Sequence, residues 1–129
     1  MGIRFIRVLI SIWAITSCGL SWGLSNEEFK QSFESARKGK WSHVDAEVQQ
    51  HVLAPYIEFH RLKSQLPKLS PEAIQQFAET YPDTPLYGWL KKHATSAYGK
   101  ARKWDAVVAL NSKAPADVAG RCIYYRAQL

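Results

Sequence analysis

Leu53-Ala54-Pro55-Tyr56-Ile57-Glu58-Phe59 and Tyr81-Pro82-Asp83-Thr84-Pro85-Leu86 are the stretches whose reading decides the fold. Each places a proline where a helix begins and follows it with large apolar side chains at helical spacing. Proline suits the first helical position because its φ is already helical and its missing N–H would have no partner there. Ser70-Pro71-Glu72 repeats the device with an N-cap serine and an acidic first turn. Ala114-Pro115 offers another start. The chain opens helix after helix with no alternating strand pattern between them.

Working outward, Ser25 and Glu28 form a capping box ahead of an apolar stripe at Phe29, Phe33 and Ala36, and Gly39 is placed to stop that helix in a left-handed conformation. Trp41, Val44, Val48 and Val52 predict a second helix. A third begins at Pro55, with Tyr56, Ile57 or Phe59, Leu62 and Leu66 inward and Pro67 ending it. A fourth runs from Pro71 through Ile74 and Phe77 to about Tyr81. The fifth carries Leu86, Trp89, Leu90, Ala94 and Ala97 to Tyr98, with Gly99 as its stop. Trp104, Val107 and Val108, with Asn111 beyond them, predict a sixth; Val118, Cys122 and Tyr125 are the inward residues expected of the last.

Seven helices on short turns predict an all-α fold of stacked antiparallel hairpins, part of an α-superhelix, over residues 26–129. A faint repeat agrees: Ala36-x4-Trp41-x2-Val44 recurs as Gly99-x4-Trp104-x2-Val107, and Pro55-x3-Phe59 as Pro85-x3-Trp89. The small residue lets two helices approach and the tryptophan fills the joint. The spacings do not fit a strict tetratricopeptide period.

Residues 1–25 read differently. Arg4 and Arg7 precede the apolar run Val8 to Ile15, no charge follows until Glu27, and Ser21 and Gly23 suit cleavage near Ser25. That is the layout of an export signal. Ser11, Thr16, Ser17 and Ser21 interrupt the run, which argues against a permanent span of about 20 mostly apolar residues. Ile15-Thr16-Ser17-Cys18 offers an alternative, a lipoprotein signal ending at a lipidated Cys18. The expected location is therefore the periplasm or, with lipid on Cys18, the outer membrane; no other membrane attachment is expected.

Without Arg4 and Arg7 the chain keeps 15 Lys and Arg against 11 Asp and Glu, a net of +4. The basic residues are scattered, and the tightest group, Lys100-Ala101-Arg102-Lys103, falls at an expected turn. A nucleic-acid surface would want a longer basic stripe, so no nucleic-acid partner is expected. Weak attraction to an acidic polymer, such as cell-wall glycan with its peptide carboxylates, fits the charge better.

Chemistry is sparse. His43, His51, His60 and His93 are isolated, so no metal or other cofactor is expected. No nucleophile elbow, phosphate loop or zinc-protease box occurs. With Cys18 removed, Cys122 stands alone, either buried and inert or paired outside these residues. Trp41, Trp89 and Trp104 could stack on sugar rings, but their stripe positions predict core packing. Of Tyr124 and Tyr125, at least one must face outward.

Taken together, several words resemble the N-terminal superhelical domain of the soluble lytic murein transglycosylases of Gram-negative bacteria. They are Phe33-Glu34-Ser35-Ala36 with Gly39 and Trp41, Leu53 to Leu62 (LAPYIEFHRL), Phe77 with Tyr81 to Leu86, Trp104, and Arg121 to Ala127 (RCIYYRA). The resemblance runs from about Phe29 to Leu129. It implies a helical scaffold in an enzyme that cleaves peptidoglycan glycan strands and leaves a 1,6-anhydro sugar. In that family a glutamate of a lysozyme-like domain acts as acid and base, in a Glu-Ser pair followed by Gly-Leu-Met-Gln. Here Glu34-Ser35 has no Gly-Leu-Met-Gln after it and lies in the first helix, so no catalytic residue is assigned and the chain alone is expected to be inactive. The resemblance further implies a fragment or truncated product. A small exported adaptor for another envelope protein, or a non-catalytic peptidoglycan-binding module, remain as alternatives.

Overall fold

A computed structural model describes residues 23–129, and among these every regular element is helical. There are six α-helices: α1 (Asn26–Arg37), α2 (Ala54–Gln65), α3 (Pro71–Thr80), α4 (Leu86–Lys100), α5 (Trp104–Leu110) and α6 (Val118–Ala127). The all-α expectation holds for these residues. The leader reading up to residue 22, Cys18 included, lies outside the described residues. No described helix is long and apolar enough to cross a membrane.

Local chemistry explains most of the boundaries. The Ser25 hydroxyl accepts from the Glu28 N–H at 3.3 Å, and Glu28 Oε2 accepts from the Ser25 N–H at 2.8 Å, completing the capping box. That bond holds the Glu28 carboxyl below its ordinary range. At the other end of α1, Gly39 takes φ 70°, and the Gly39 and Lys40 N–H groups reach back to the Ala36 and Ser35 carbonyls. This is a Schellman closure, and glycine accepts its left-handed turn without a Cβ penalty. α2 ends where Leu66, preceding Pro67, is forced into extended backbone.

The expected second helix is absent as a single element. Trp41–His43 and Ala46–Gln50 are instead two short 3-10 helices. Asp45 divides them: its carboxylate caps the second by accepting from Glu47 N–H at 2.9 Å, while its own N–H donates to the buried Ser32 hydroxyl at 3.1 Å. A backbone N–H drawn to Ser32 cannot also continue a helical ladder. Val48 stays buried, but Val52, expected inward, is 85% exposed.

Gly99 does not stop α4, which runs one residue past it to Lys100. The left-handed residue is Arg102, at φ 57°, with Arg102 and Lys103 N–H groups closing on the Gly99 and Tyr98 carbonyls. Gly99 serves the other half of the sequence reading, close helix approach: a Cβ there would lie 2.7 Å from Ile123 Cγ2 on α6.

Ala114-Pro115 does not start α6. Asp117 does, accepting from Gly120 N–H at 2.8 Å. The later start carries a different face inward, with Gly120 and Tyr124 buried and Ile123 and Ala127 half-buried, while Val118, Cys122 and Tyr125 are exposed. The inward stripe expected for this helix is therefore out of phase with the one it presents.

α4 is the central element, packing on α2, α3, α5 and α6, while α1 packs on α2. The main core gathers Phe59, Ile74, Phe77, Leu86, Leu90 and Tyr98 with Val107 and Leu110. A smaller core of Phe29, Ala36, Val48 and Ile57 lies under Trp41 and Val44. Helix α2 separates the two, with Ile57 in one and Phe59 in the other. The Tyr98 hydroxyl donates to the Leu69 carbonyl, and Lys103 Nζ to the Pro67 carbonyl at 3.0 Å, tying the α2–α3 turn to the end of α4.

Candidate functional site

The apolar stripe of α4 is Leu86, Leu90, Ala94 and Tyr98, and it leaves Trp89 on the outer face, 58% exposed. This corrects the expectation of a buried Trp89. The apparent repeat misleads because the two prolines differ in register: Pro55 is itself buried inside the first turn of α2, whereas Pro85 is an exposed cap outside α4. Trp89 consequently lies about 100° around the helix from Leu90. Trp41 and Trp104 are half-buried, packed against the two cores and short of the burial their stripe positions predict, and the Arg126 guanidinium lies 5.4 Å from the Trp104 ring.

Between α4 and the segment leading into α6 is a cleft of about 440 Å³, whose lining does not include Trp89. Gly88, Lys91, Lys92, Thr95 and Ser96 of α4 form one wall; the turn after α5 and the start of α6 supply Asn111, Lys113, Asp117 and Gly120 on the other. Trp89, Lys92 and Ser96 fall at i, i+3 and i+7, so the indole stands on the same face as two cleft residues. Thr95 and Asn111 are buried at the junction of the walls. Asn111 Nδ2 donates to Thr95 Oγ1 at 3.0 Å and to the Val107 carbonyl at 2.9 Å, which fixes the amide.

Charge in the cleft is one-sided. Lys91, Lys92 and Lys113 face it against one carboxylate, Asp117, which already holds the Gly120 N–H. The ion pairs among the described residues are Glu34–Arg37 at 2.9 Å and Glu58–Arg61 at 3.6 Å, so none of the three lysines is paired there. Such a cleft attracts anions.

The other residues singled out from the sequence are placed apart from it. Glu34 is a surface partner of Arg37 on α1. His51 stacks on Phe29 with ring centroids 4.2 Å apart and accepts the Leu53 N–H at 3.1 Å. His60 meets Phe33 and Phe59 edge-on, and His93 lies 6.3 Å from Phe59. Burial against these rings, then Lys63 and a second cation (Arg37 for His60, Lys92 for His93), lowers both imidazole pKa values from 6.5. His43 is exposed, and no group of three metal-ligating side chains forms among the described residues. Cys122 is an exposed free thiol. Sequence reasoning missed the cleft because its walls come from segments well separated along the chain, brought together by the Gly99–Ile123 approach. The signal it had was Lys92, on the side of α4 opposite Leu90 and Ala94.

Compared with protein-family models, curated proteins and solved structures, the chain matches none.

Proposed function

We propose that this chain is the N-terminal, superhelical scaffold part of a periplasmic soluble lytic murein transglycosylase, exported by a signal in residues 1–25. The observation that carries this reading is the ordered series of shared words. LAPYIEFHRL opens α2, YPDTPL is the turn into α4, and RCIYYRA lies within α6. On this reading the hairpins stack as part of an α-superhelix and hold the position of a catalytic domain. The family's Glu-Ser with downstream Gly-Leu-Met-Gln occurs nowhere in this sequence. The scaffold therefore performs no bond cleavage itself.

Expression of the full chain in a Gram-negative host tests the proposal. It should appear in the periplasmic fraction with its leader removed or lipidated at Cys18, and should release no 1,6-anhydro muropeptides from peptidoglycan. Retention in the cytoplasm would overturn the proposal. So would lytic activity that disappears in Glu34→Gln, because the Glu34–Ser35 pair would then be functional.

A specific observation also favours direct contact with glycan: Trp89 is an exposed indole on the outer face of α4.

A further inference from the structure

We propose that the outer face of α6 docks an amphipathic helix of a second protein, apolar along one stripe and acidic along both edges of it. α6 carries two opposed apolar faces. Gly120, Ile123, Tyr124 and Ala127 turn inward, buried or half-buried, with Ile123 and Ala127 against the main core. At about 100° per residue, Val118, Cys122 and Tyr125 fall within roughly 60° of one another on the opposite side. Leu129 continues the line just past the helix end, its N–H closing a last turn on the Arg126 carbonyl. All four are exposed, Val118 by 68% and Tyr125 by 57%.

Spacing and charge select the occupant. Steps of four, three and four along the chain are the d, a, d, a seam of two helices packed side by side. In that register Arg121 takes a g position and Arg126 an e position, the two edges whose charges set partner choice. Neither arginine is in an ion pair among the described residues, and α6 contains no carboxylate. The Arg126 guanidinium lies over the Trp104 ring, and such stacking leaves its in-plane N–H groups for a carboxylate. Glu or Asp at the partner's facing e and g positions would meet both arginines. A second copy of this chain supplies neither, because its own α6 brings Ala119, Gln128 and the same two arginines to those edges. An anionic membrane would match the charge, but a single four-residue stripe is narrower than the apolar face of an interfacial helix.

The probe is a fluorescently labelled synthetic peptide of four heptads with Leu at a and d and Glu at e and g. Its counterpart carries Lys at e and g; like charges keep each peptide from pairing with itself. Anisotropy titration with the full chain at low salt should give saturable binding of the Glu peptide, about tenfold tighter than the Lys peptide. The gap should close as salt rises. Tyr125→Ser should weaken the Glu peptide by about tenfold, and Arg121→Glu should shift the preference roughly fivefold toward the Lys peptide. Cys122, in the middle of the seam, should react with iodoacetamide more slowly in proportion to the Glu peptide bound. Lys30→Glu, beside the apolar groove between α1 and the start of α2, should change nothing. Unchanged melting curves would show every variant folded. Equal binding of the two peptides at low salt, indifference to Tyr125→Ser or Arg121→Glu, or a Cys122 that stays reactive under bound peptide would overturn the proposal. So would self-association of the chain alone that Tyr125→Ser abolishes, which would give the face to a second copy. Binding to phosphatidylglycerol vesicles, lost in the same variant while the Glu peptide fails to bind, would give it to a membrane.

Discussion

Gly99→Ala isolates the contact on which the cleft depends. Alanine inside a helix is ordinarily favourable over glycine by about 0.5–1 kcal/mol, an upper bound at Gly99, the penultimate residue of α4. Here its Cβ would lie 2.7 Å from Ile123 Cγ2 and 3.2 Å from Cγ1 and Cδ1. Carbon atoms prefer separations near 3.5–4.0 Å, so a methyl here overlaps a whole side chain and not one flexible tip. Ile123 is β-branched and stiff at χ1 within α6, which limits its escape. Overpacking of this kind costs about 1–3 kcal/mol, and subtracting the propensity gain leaves a net loss of roughly 1–2 kcal/mol. For a domain of this size that is a drop of roughly 5–10 °C in Tm. Thermal and urea unfolding of Gly99→Ala, Ile123→Ala and the double variant form the assay. Introducing Gly99→Ala into the Ile123→Ala background should be neutral or stabilising. A Gly99→Ala chain as stable as wild type with Ile123 present would show that α4 and α6 do not meet there.

Arg102→Gly should stabilise the chain by about 1 kcal/mol in urea unfolding, because it relieves a left-handed arginine at φ 57°. Trp89→Ala should change unfolding free energy by less than about 0.5 kcal/mol, as expected of a surface site, while Trp104→Ala should cost about 2–3 kcal/mol through lost packing and the lost Arg126 contact. The two lowered imidazole pKa values carry a definite sign. As pH falls below 6.5 the unfolded chain protonates His60 and His93 before the folded chain does, so stability present above that pH is lost across the window beneath it. Melting curves at about pH 7.5 and 5.5 should show the decline, flattened in His60→Gln, and apart from the Glu28 effect, which acts below its ordinary value of 4.5.

How far the sequence carried depended on whether local chemistry or packing made the decision. Ser25, Ser70, Pro71 and Gly39 act on their own backbone neighbours, and the elements they bound were legible almost to the residue. The segment from Trp41 to Val52 has helical spacing, but a long-range bond from Asp45 N–H to Ser32 breaks it, and no periodicity records that bond. Helix α6 went out of phase because Asp117, two residues past Pro115, was the stronger cap; serine-like capping by aspartate was the available signal. Gly99 was correctly read as a residue that permits approach and wrongly as a stop, since both roles ask for the same missing Cβ. Trp89 shows the limit most clearly: apolar spacing places a residue near a stripe, and one step around the helix separates a core tryptophan from a surface platform.

Fractionation of a Gram-negative host that expresses the full chain, with the periplasmic extract assayed on purified peptidoglycan, tests the central claim most directly. The account predicts the chain in the periplasmic fraction, with its leader removed or with lipid on Cys18, and no 1,6-anhydro muropeptide released. A chain that stays in the cytoplasm, or lysis that disappears in Glu34→Gln, would contradict it.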